Sequence, residues 1–233
     1  MSLETQSANN CIGPWLGQLE LLTGVSQQVQ RRFNAMIRTT NRRRGEWIFV
    51  PGDAADSVYL LQHGRMKITA LSEDGQEVLH QIVGPGEIFG DTSALLGIAR
   101  TTSAQALEPS LVCEIHRKDF EALLSMYPEL SFRLLRSVGL RLKKAEAHLV
   151  NVICNDVPRR VSEALSDLMD KEPGAGSDGP VRIRITQQDL ANLIGASRQK
   201  TWEALKELED SGVLKLMYRS ILVVAPQKLP KPI

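Results

Sequence analysis

The residues of this chain with the most specific chemistry lie between Thr186 and Leu208. Thr186 with Asp189 three residues on is a helix N-cap pattern, and Leu190, Ala191, Leu193 and Ile194 follow as one apolar face. Gly195 supplies a tight turn. Ser197 then caps a second helix whose inner face is Thr201, Ala204, Leu205 and Leu208. Two short helices, a glycine turn and a polar leading edge on the second helix make a helix-turn-helix. Ser197, Arg198, Gln199 and Lys200 form that leading edge, where a helix N-terminus meets base edges in the major groove. Arg198 suits guanine O6 and N7, while Gln199 can grip adenine N6 and N7. The alternative for each is a solvated surface side chain, which the surrounding helix-turn-helix makes the weaker reading. Trp202 has two readings, beside the DNA backbone or covering a neighbouring helix, and the second is favoured.

Other chemistries find little support. No histidine, serine or carboxylate grouping falls at a spacing for acid–base or nucleophilic work, so an enzyme is not expected. Cys11, Cys113 and Cys154 are odd in number and far apart, which indicates neither a disulfide framework nor a metal site. An iron–sulfur sensor needs clustered thiolates, and Cys11 stands alone near its end of the chain. Cys113 and Cys154 read as buried structural thiols, and His63, His80, His116 and His148 as surface residues rather than haem ligands. No cofactor is therefore read from the residues themselves. A net charge of +1 places any DNA affinity in a local patch. No apolar run spans a bilayer and Met1–Asn10 is polar, so no membrane partner and a cytoplasmic location are expected.

The elements that must position the reading helix follow from periodicity. Trp15, Leu16, Leu19, Leu22, Val25, Val29 and Phe33 read as two short amphipathic helices broken at Thr23-Gly24. From Arg42 to Arg117 come short alternating runs: Glu46–Val50, Ser57–Gln62, Arg65–Leu71, Glu77–Val83 and Leu111–His116. Pro51-Gly52-Asp53, His63-Gly64, Asp74-Gly75 and Gly84-Pro85-Gly86 separate them, which predicts a compact antiparallel roll. Asp119–Ser125 is a short helical link. Pro128–Asn155 then carries Leu135, Val138, Leu142, Ala145, Leu149 and Val152 at alternating steps of three and four. That repeat is the seam of a two-stranded coiled coil and predicts a homodimer. A second line, with Leu130, Leu134 and Leu140, should pack on the helix's own chain. Val161, Leu165, Leu168 and Met169 face a further helix, Lys171–Pro180 reads as a flexible loop, and Val181–Ile185 as a strand. Val213–Met217 and Ser220–Val224 read as a hairpin wing, with a frayed tail after Pro226. The fold class is α+β, in three parts: a sensor roll over 1–127, a dimerisation helix over 128–155 and a winged helix-turn-helix over 156–233.

From about Trp15 to Val224 the sequence resembles the Crp/Fnr family of bacterial transcription regulators. The resemblance rests on Gly45-Glu46-Trp47-Ile48-Phe49 with Gly52-Asp53, on Tyr59-Leu60-Leu61-Gln62-His63-Gly64 and on Gly84-Pro85-Gly86-Glu87-Ile88-Phe89-Gly90-Asp91. It continues in Ile185–Leu190, Gly195–Gln199 and Leu205–Glu209. It implies a homodimeric regulator of transcription that binds double-stranded DNA, with RNA polymerase as a further partner and a cyclic nucleotide as candidate effector. A regulator that needs no effector, and a ligand-sensing interaction module without specific DNA binding, are the alternatives. Thr186 and Gln188 match family positions that bind phosphate, aided by their helix N-terminus.

In family members that bind cyclic AMP, a Gly-Glu pair and an Arg-Ser/Thr pair hold the ribose and cyclic phosphate. Gly90-Asp91 and Arg100-Thr101 match them here, with Asp91 one methylene shorter than glutamate. The family's adenine-contacting Thr-Ser pair falls on Ala145-Glu146. Alanine offers no hydrogen bond, and Glu146 presents a carboxylate where a hydroxyl is expected. An ion pair of Arg100 with Asp91 in an unliganded roll is a further reading. At the leading edge the family usually has Arg-Glu and a later arginine, a set that favours a TGTGA-like half-site. Gln199 and Glu203 replace the last two here, so the inner half-site positions should shift.

Overall fold

The computed structural model describes residues 21–172 and 179–229. Expectations for Trp15, Leu16, Leu19, Cys11 and most of the Lys171–Pro180 loop fall outside them. The chain divides into two compact units, Met1–Gly75 with His80–Gly139, and Gln76–Leu79 with Leu140–Ile233.

In the first unit, helix α1 (Gln27–Met36) starts at Ser26, whose hydroxyl accepts from Val29 N–H at 3.4 Å. The strands are β1 (Ile37–Arg42), β2 (Trp47–Phe49), β3 (Ser57–His63), β4 (Met66–Leu71), β5 (Glu77–Val83), β6 (Ile88–Phe89), β7 (Ser103–Ala106) and β8 (Ser110–His116). They form two four-stranded sheets, ordered β1-β8-β3-β6 and β2-β7-β4-β5. Strand β3 shows why both faces of the first sheet are apolar. Val58 and Leu60 point to a core with Phe33, Phe120 and Leu123, while Leu61 points to a core with Phe49, Met66 and Phe89. Alternation with period two thus feeds one strand into two cores. Helices α2 (Asp91–Leu96), α3 (Arg117–Met126) and α4 (Pro128–Cys154) complete the run. Gly64, at φ +89°, closes the β3–β4 turn where a Cβ would stand 2.8 Å from the Pro109 carbonyl oxygen. Only glycine fits there.

Leu130 and Leu134 of α4 are buried against Phe120 and Leu123 as expected, but Leu140 is exposed. Strands β1, β6 and β7 and helix α2 were not expected. Ile37–Arg42 reads IRTTNR, a polar run that pairs with β8 alone, and Ser103–Ala106 is built of small residues. Neither carries the alternating apolar signal that marks a strand.

The second unit holds the C-terminal part of α4, then α5 (Val157–Met169), β9 (Val181–Ile183), α6 (Gln187–Ile194), α7 (Arg198–Asp210), β10 (Leu214–Met217) and β11 (Ser220–Val223). Asp156 caps α5 through Arg159 N–H at 3.1 Å, with Pro158 in the first turn. The small sheet runs β10-β11-β9. Its inner face, Val181, Ile183, Ile221, Val223 and Leu214, is buried. Beyond it the tail is not frayed throughout: Pro226–Lys228 form a 3-10 turn and Leu229 is buried. Cys113 is buried as expected, whereas Cys154 is exposed, and all four histidines are exposed.

Candidate DNA-reading face and effector site

Helix α6 is fixed at both ends. The Thr186 hydroxyl accepts from Asp189 N–H at 3.0 Å and donates to Asp189 Oδ2 at 2.5 Å. That hydroxyl is thereby committed inside the cap. The contribution left to a phosphate is the unpaired N–H groups of the first turn and the positive end of the helix. At the far end Gly195 adopts φ +64°, and Arg160 Nη1 donates to the carbonyl oxygens of Ile194 at 2.8 Å and Gly195 at 3.3 Å. A guanidinium on C-terminal carbonyls stabilises the helix end and sets the angle of the turn.

Helix α7 starts at Ser197, whose hydroxyl accepts from Lys200 N–H at 3.3 Å. Thr201, Ala204 and Leu205 are buried, while Arg198, Gln199, Lys200, Trp202 and Glu203 are exposed. Gln199 Nε2 donates to Glu203 Oε1 at 3.1 Å, and Gln188 Nε2 to Asn192 Oδ1 at 2.8 Å on α6. Near the C-terminal end, Lys206 pairs with Glu209 at 2.6 Å, and Glu209 Oε1 accepts from Leu216 N–H at 2.7 Å. The Leu216 N–H first, and then Lys206, hold the Glu209 carboxyl below its ordinary range. These bonds tie the wing strand β10 to α7. Of the expected reading residues, Gln188, Ser197, Arg198, Gln199, Lys200 and Glu203 are exposed and Thr186 is half-buried. Trp202 is 39% exposed, with Lys206 Nζ 5.2 Å from the ring centroid, and it shares a hollow with Gln187 of α6.

In the roll, Gly90 caps α2 at φ +70°, and a Cβ there would stand 2.9 Å from Arg100 Nη1 and 3.1 Å from Phe49 and Tyr59. Asp91 opens α2 at 1% exposure, Arg100 is 3% exposed and Thr101 is exposed. Arg100 Nη1 donates to the Gly90 carbonyl oxygen and Nη2 to that of Ser57. Its guanidinium lies 4.4 Å from the Phe49 ring centroid and 5.6 Å from that of Tyr59. Burial pulls Arg100 below its ordinary value, while the neighbouring Tyr59 opposes this. Burial, then Glu114, pushes the Tyr59 phenol up. Arg100 Nε is a buried donor with no hydrogen-bond partner. The family resemblance assigns Arg100 to the effector site, but the sequence carries no sign that aromatic rings and main-chain carbonyls already hold it.

Comparison with known proteins fits both units. The cyclic nucleotide-binding domain matches residues 39–127, and the Crp-like helix-turn-helix domain matches residues 159–231. A cyclic AMP receptor protein of Thermus thermophilus is 31% identical over 173 residues, 74% of this chain and 77% of that protein. The chain belongs to the Crp/Fnr family. A CRP-like cAMP-activated global transcriptional regulator of Mycobacterium tuberculosis is 28% identical over 93% of this chain and 97% of its own length. The solved c-di-GMP responsive global regulator CLP of Xanthomonas campestris superposes with a TM-score of 0.74 at 24% identity, over 86% of this chain and all of that one, which shows the fold. This Crp/Fnr protein is a DNA-binding transcription regulator with a roll of the cyclic nucleotide-binding kind.

On the Crp/Fnr long helix, α4, the expected seam residues Leu135, Val138, Leu142, Leu149 and Val152 are all exposed in the single chain, as is Ala145. Phe132, Val150 and Ile153 are further exposed apolar residues on α4 that the periodicity did not single out. Glu146 is exposed, and neither it nor Ala145 offers a hydroxyl. Among the described residues no helix is long and apolar enough to cross a membrane, and no cluster of metal-ligating side chains occurs.

Proposed function

We propose that the protein works as a homodimer, paired through Leu135, Val138, Leu142, Ala145, Leu149 and Val152, and binds a twofold-related operator. In this reading the chain has three working parts, a roll over 1–127, the pairing helix over 128–155 and the reading head over 156–233. The carrying observation is the open leading edge of α7, with Arg198, Gln199 and Lys200 presented above a capped, buried inner face. A twofold dimer sets its half-sites about 34 Å apart, one turn of the duplex. Arg198 would read guanine, and Gln188 with the α6 N-terminus would hold phosphate. RNA polymerase is the partner through which bound DNA becomes altered transcription, consistent with relatives described as global transcriptional regulators.

The effector reading rests on chemistry that points two ways. Arg100, with its buried, unpartnered Nε, supports an anionic ligand in the roll. Against cyclic AMP itself stand two departures. Both terminal nitrogens of Arg100 already donate to main-chain oxygens, and Ala145-Glu146 lacks the base-contacting hydroxyls. Cyclic AMP, the activator of several relatives, therefore binds weakly or not at all. Selection from a random duplex library, with and without cyclic AMP, cyclic GMP and cyclic di-GMP, tests both parts. A twofold motif enriched without cyclic AMP is the expected result. Failure to enrich any motif under all conditions overturns specific DNA reading, and submicromolar cyclic AMP binding by calorimetry overturns the effector assignment.

A further inference from the structure

A tryptophan stands among the polar readers of α7. Residues 199, 202, 203 and 206 share the side of the helix away from the buried Thr201, Ala204 and Leu205, and Arg198 stands at its edge in the first turn. Trp202 is 39% exposed on that side. It borders a shallow hollow of about 640 Å³ that is otherwise lined by Gln187, Arg198 and Gln199. The hollow thus joins the first residue of α6 to the leading edge of α7, with one apolar wall in a polar surround. Lys206 lies against the ring with its ammonium 5.2 Å from the centroid, and so holds a positive charge beside the indole. About two fifths of the Trp202 side chain therefore remains open to a ligand on this side of α7.

We propose that Trp202 is a specificity-determining residue that reads a thymine through its C5-methyl group. The proposal rests on the DNA-reading role assigned to α7. The thymine methyl is the one apolar feature that a base pair displays in the major groove, and an open indole edge is matched to it. The neighbours divide the remaining work, since Arg198 offers donors to guanine and the Gln199–Glu203 pair offers polar contacts. Trp202 stands four positions after Arg198, about 6 Å further along the helix axis at 1.5 Å per residue. A helix seated in the groove therefore brings the indole to a base near, and distinct from, the guanine that Arg198 reads. Lys206, paired with Glu209 at 2.6 Å, stays beside the indole and buttresses it from the next turn of α7.

The test uses the full chain and its selected operator, with each thymine replaced in turn by deoxyuridine, which removes only the methyl group. One position per half-site should weaken wild-type binding about fourfold, the value of one buried methyl-sized group. The same replacement should cost Trp202→Ala nothing, while Trp202→Phe keeps part of the effect. Because Trp202 is outside the core, Trp202→Ala should melt like the wild type, which separates lost reading from lost folding. The proposal is overturned if no thymine methyl matters, or if its loss weakens wild type and Trp202→Ala alike. Those results leave sequence-selective binding intact, whereas the absence of any selective duplex binding overturns the reading role of α7 and this proposal together. Arg198→Ala on the same probes tells the cases apart, since it should lose guanine discrimination whatever Trp202 does.

Discussion

Gln199 and Glu203 hold one another across a turn of α7, amide Nε2 to carboxylate Oε1 at 3.1 Å. An exposed pair at this spacing contributes about 0.2–0.5 kcal/mol, whereas a good bidentate base contact is worth about 1–3 kcal/mol. The pair therefore orients Gln199 in the free protein without preventing it from turning to a base. What it leaves on the reading face is a carboxylate facing phosphates. Glu203→Ala should tighten binding to unrelated duplexes several-fold at low salt and relax selectivity at the inner half-site positions. Filter or anisotropy binding against salt concentration reads both. Unchanged non-specific affinity would remove Glu203 from the reading face.

Pairing through α4 makes a sharp demand on one side chain. Leu142 is 60% exposed in the single chain and sits in the middle of the apolar repeat. Leu142→Asp places a carboxylate where two seams would meet, at a cost of several kcal/mol for an ionised, unpaired group. Because the residue is exposed in each chain, the fold of either unit should survive. Sedimentation at micromolar concentration should find monomers with wild-type circular dichroism. A dimer of unchanged affinity would overturn the coiled-coil seam on α4.

The roll makes a different prediction, because Arg100 already serves the structure. Its terminal nitrogens satisfy the Gly90 and Ser57 carbonyl oxygens, and its guanidinium stacks on Phe49. Removing it leaves buried acceptors without donors, each costing about 1–3 kcal/mol, and opens space beside two rings. Arg100→Ala should therefore lower the stability of the protein by about 2–4 kcal/mol with no nucleotide present. Urea unfolding of the ligand-free chain measures it. A variant as stable as wild type would mean that the arginine serves a ligand alone.

The fold was legible wherever a periodic signal was strong. The long α4 helix, the Thr186 and Ser197 caps and the glycine turn at Gly195 all stand as the spacing implied. Strands β1 and β7 were hidden because partners on neighbouring strands, not apolar alternation, hold them in place. The site was legible in residue identity but not in engagement. Nothing in the spacing of Arg100 shows that each of its terminal nitrogens donates to a main-chain oxygen, 10 and 43 residues away. Trp202 was ambiguous for a related reason: the spacing puts it on the flank of the buried Thr201 and Ala204, and its 39% exposure leaves it partly covered and partly open.

The wing tip carries a residue at odds with its backbone. Arg219 has φ +52°, the one non-glycine residue with positive φ among the described residues, in the turn between β10 and β11. Beside it Tyr218 is 88% exposed, so no core packing holds the turn in that shape. For an ordinary L-residue this conformation costs on the order of 1–2 kcal/mol. Glycine removes that strain but adds about 0.4–1 kcal/mol of unfolded-chain entropy to be lost on folding. The first quantity is the larger, so Arg219→Gly should stabilise the protein by roughly 0.5–1 kcal/mol. Arg219→Val, with a β-branched side chain in the same conformation, should destabilise it. Thermal or urea unfolding of both variants gives the comparison. If glycine lowers stability, the arginine side chain makes a compensating contact at the wing tip that outweighs the strain. If glycine raises stability but weakens operator binding, the strained turn is kept because Arg219 is needed at the DNA.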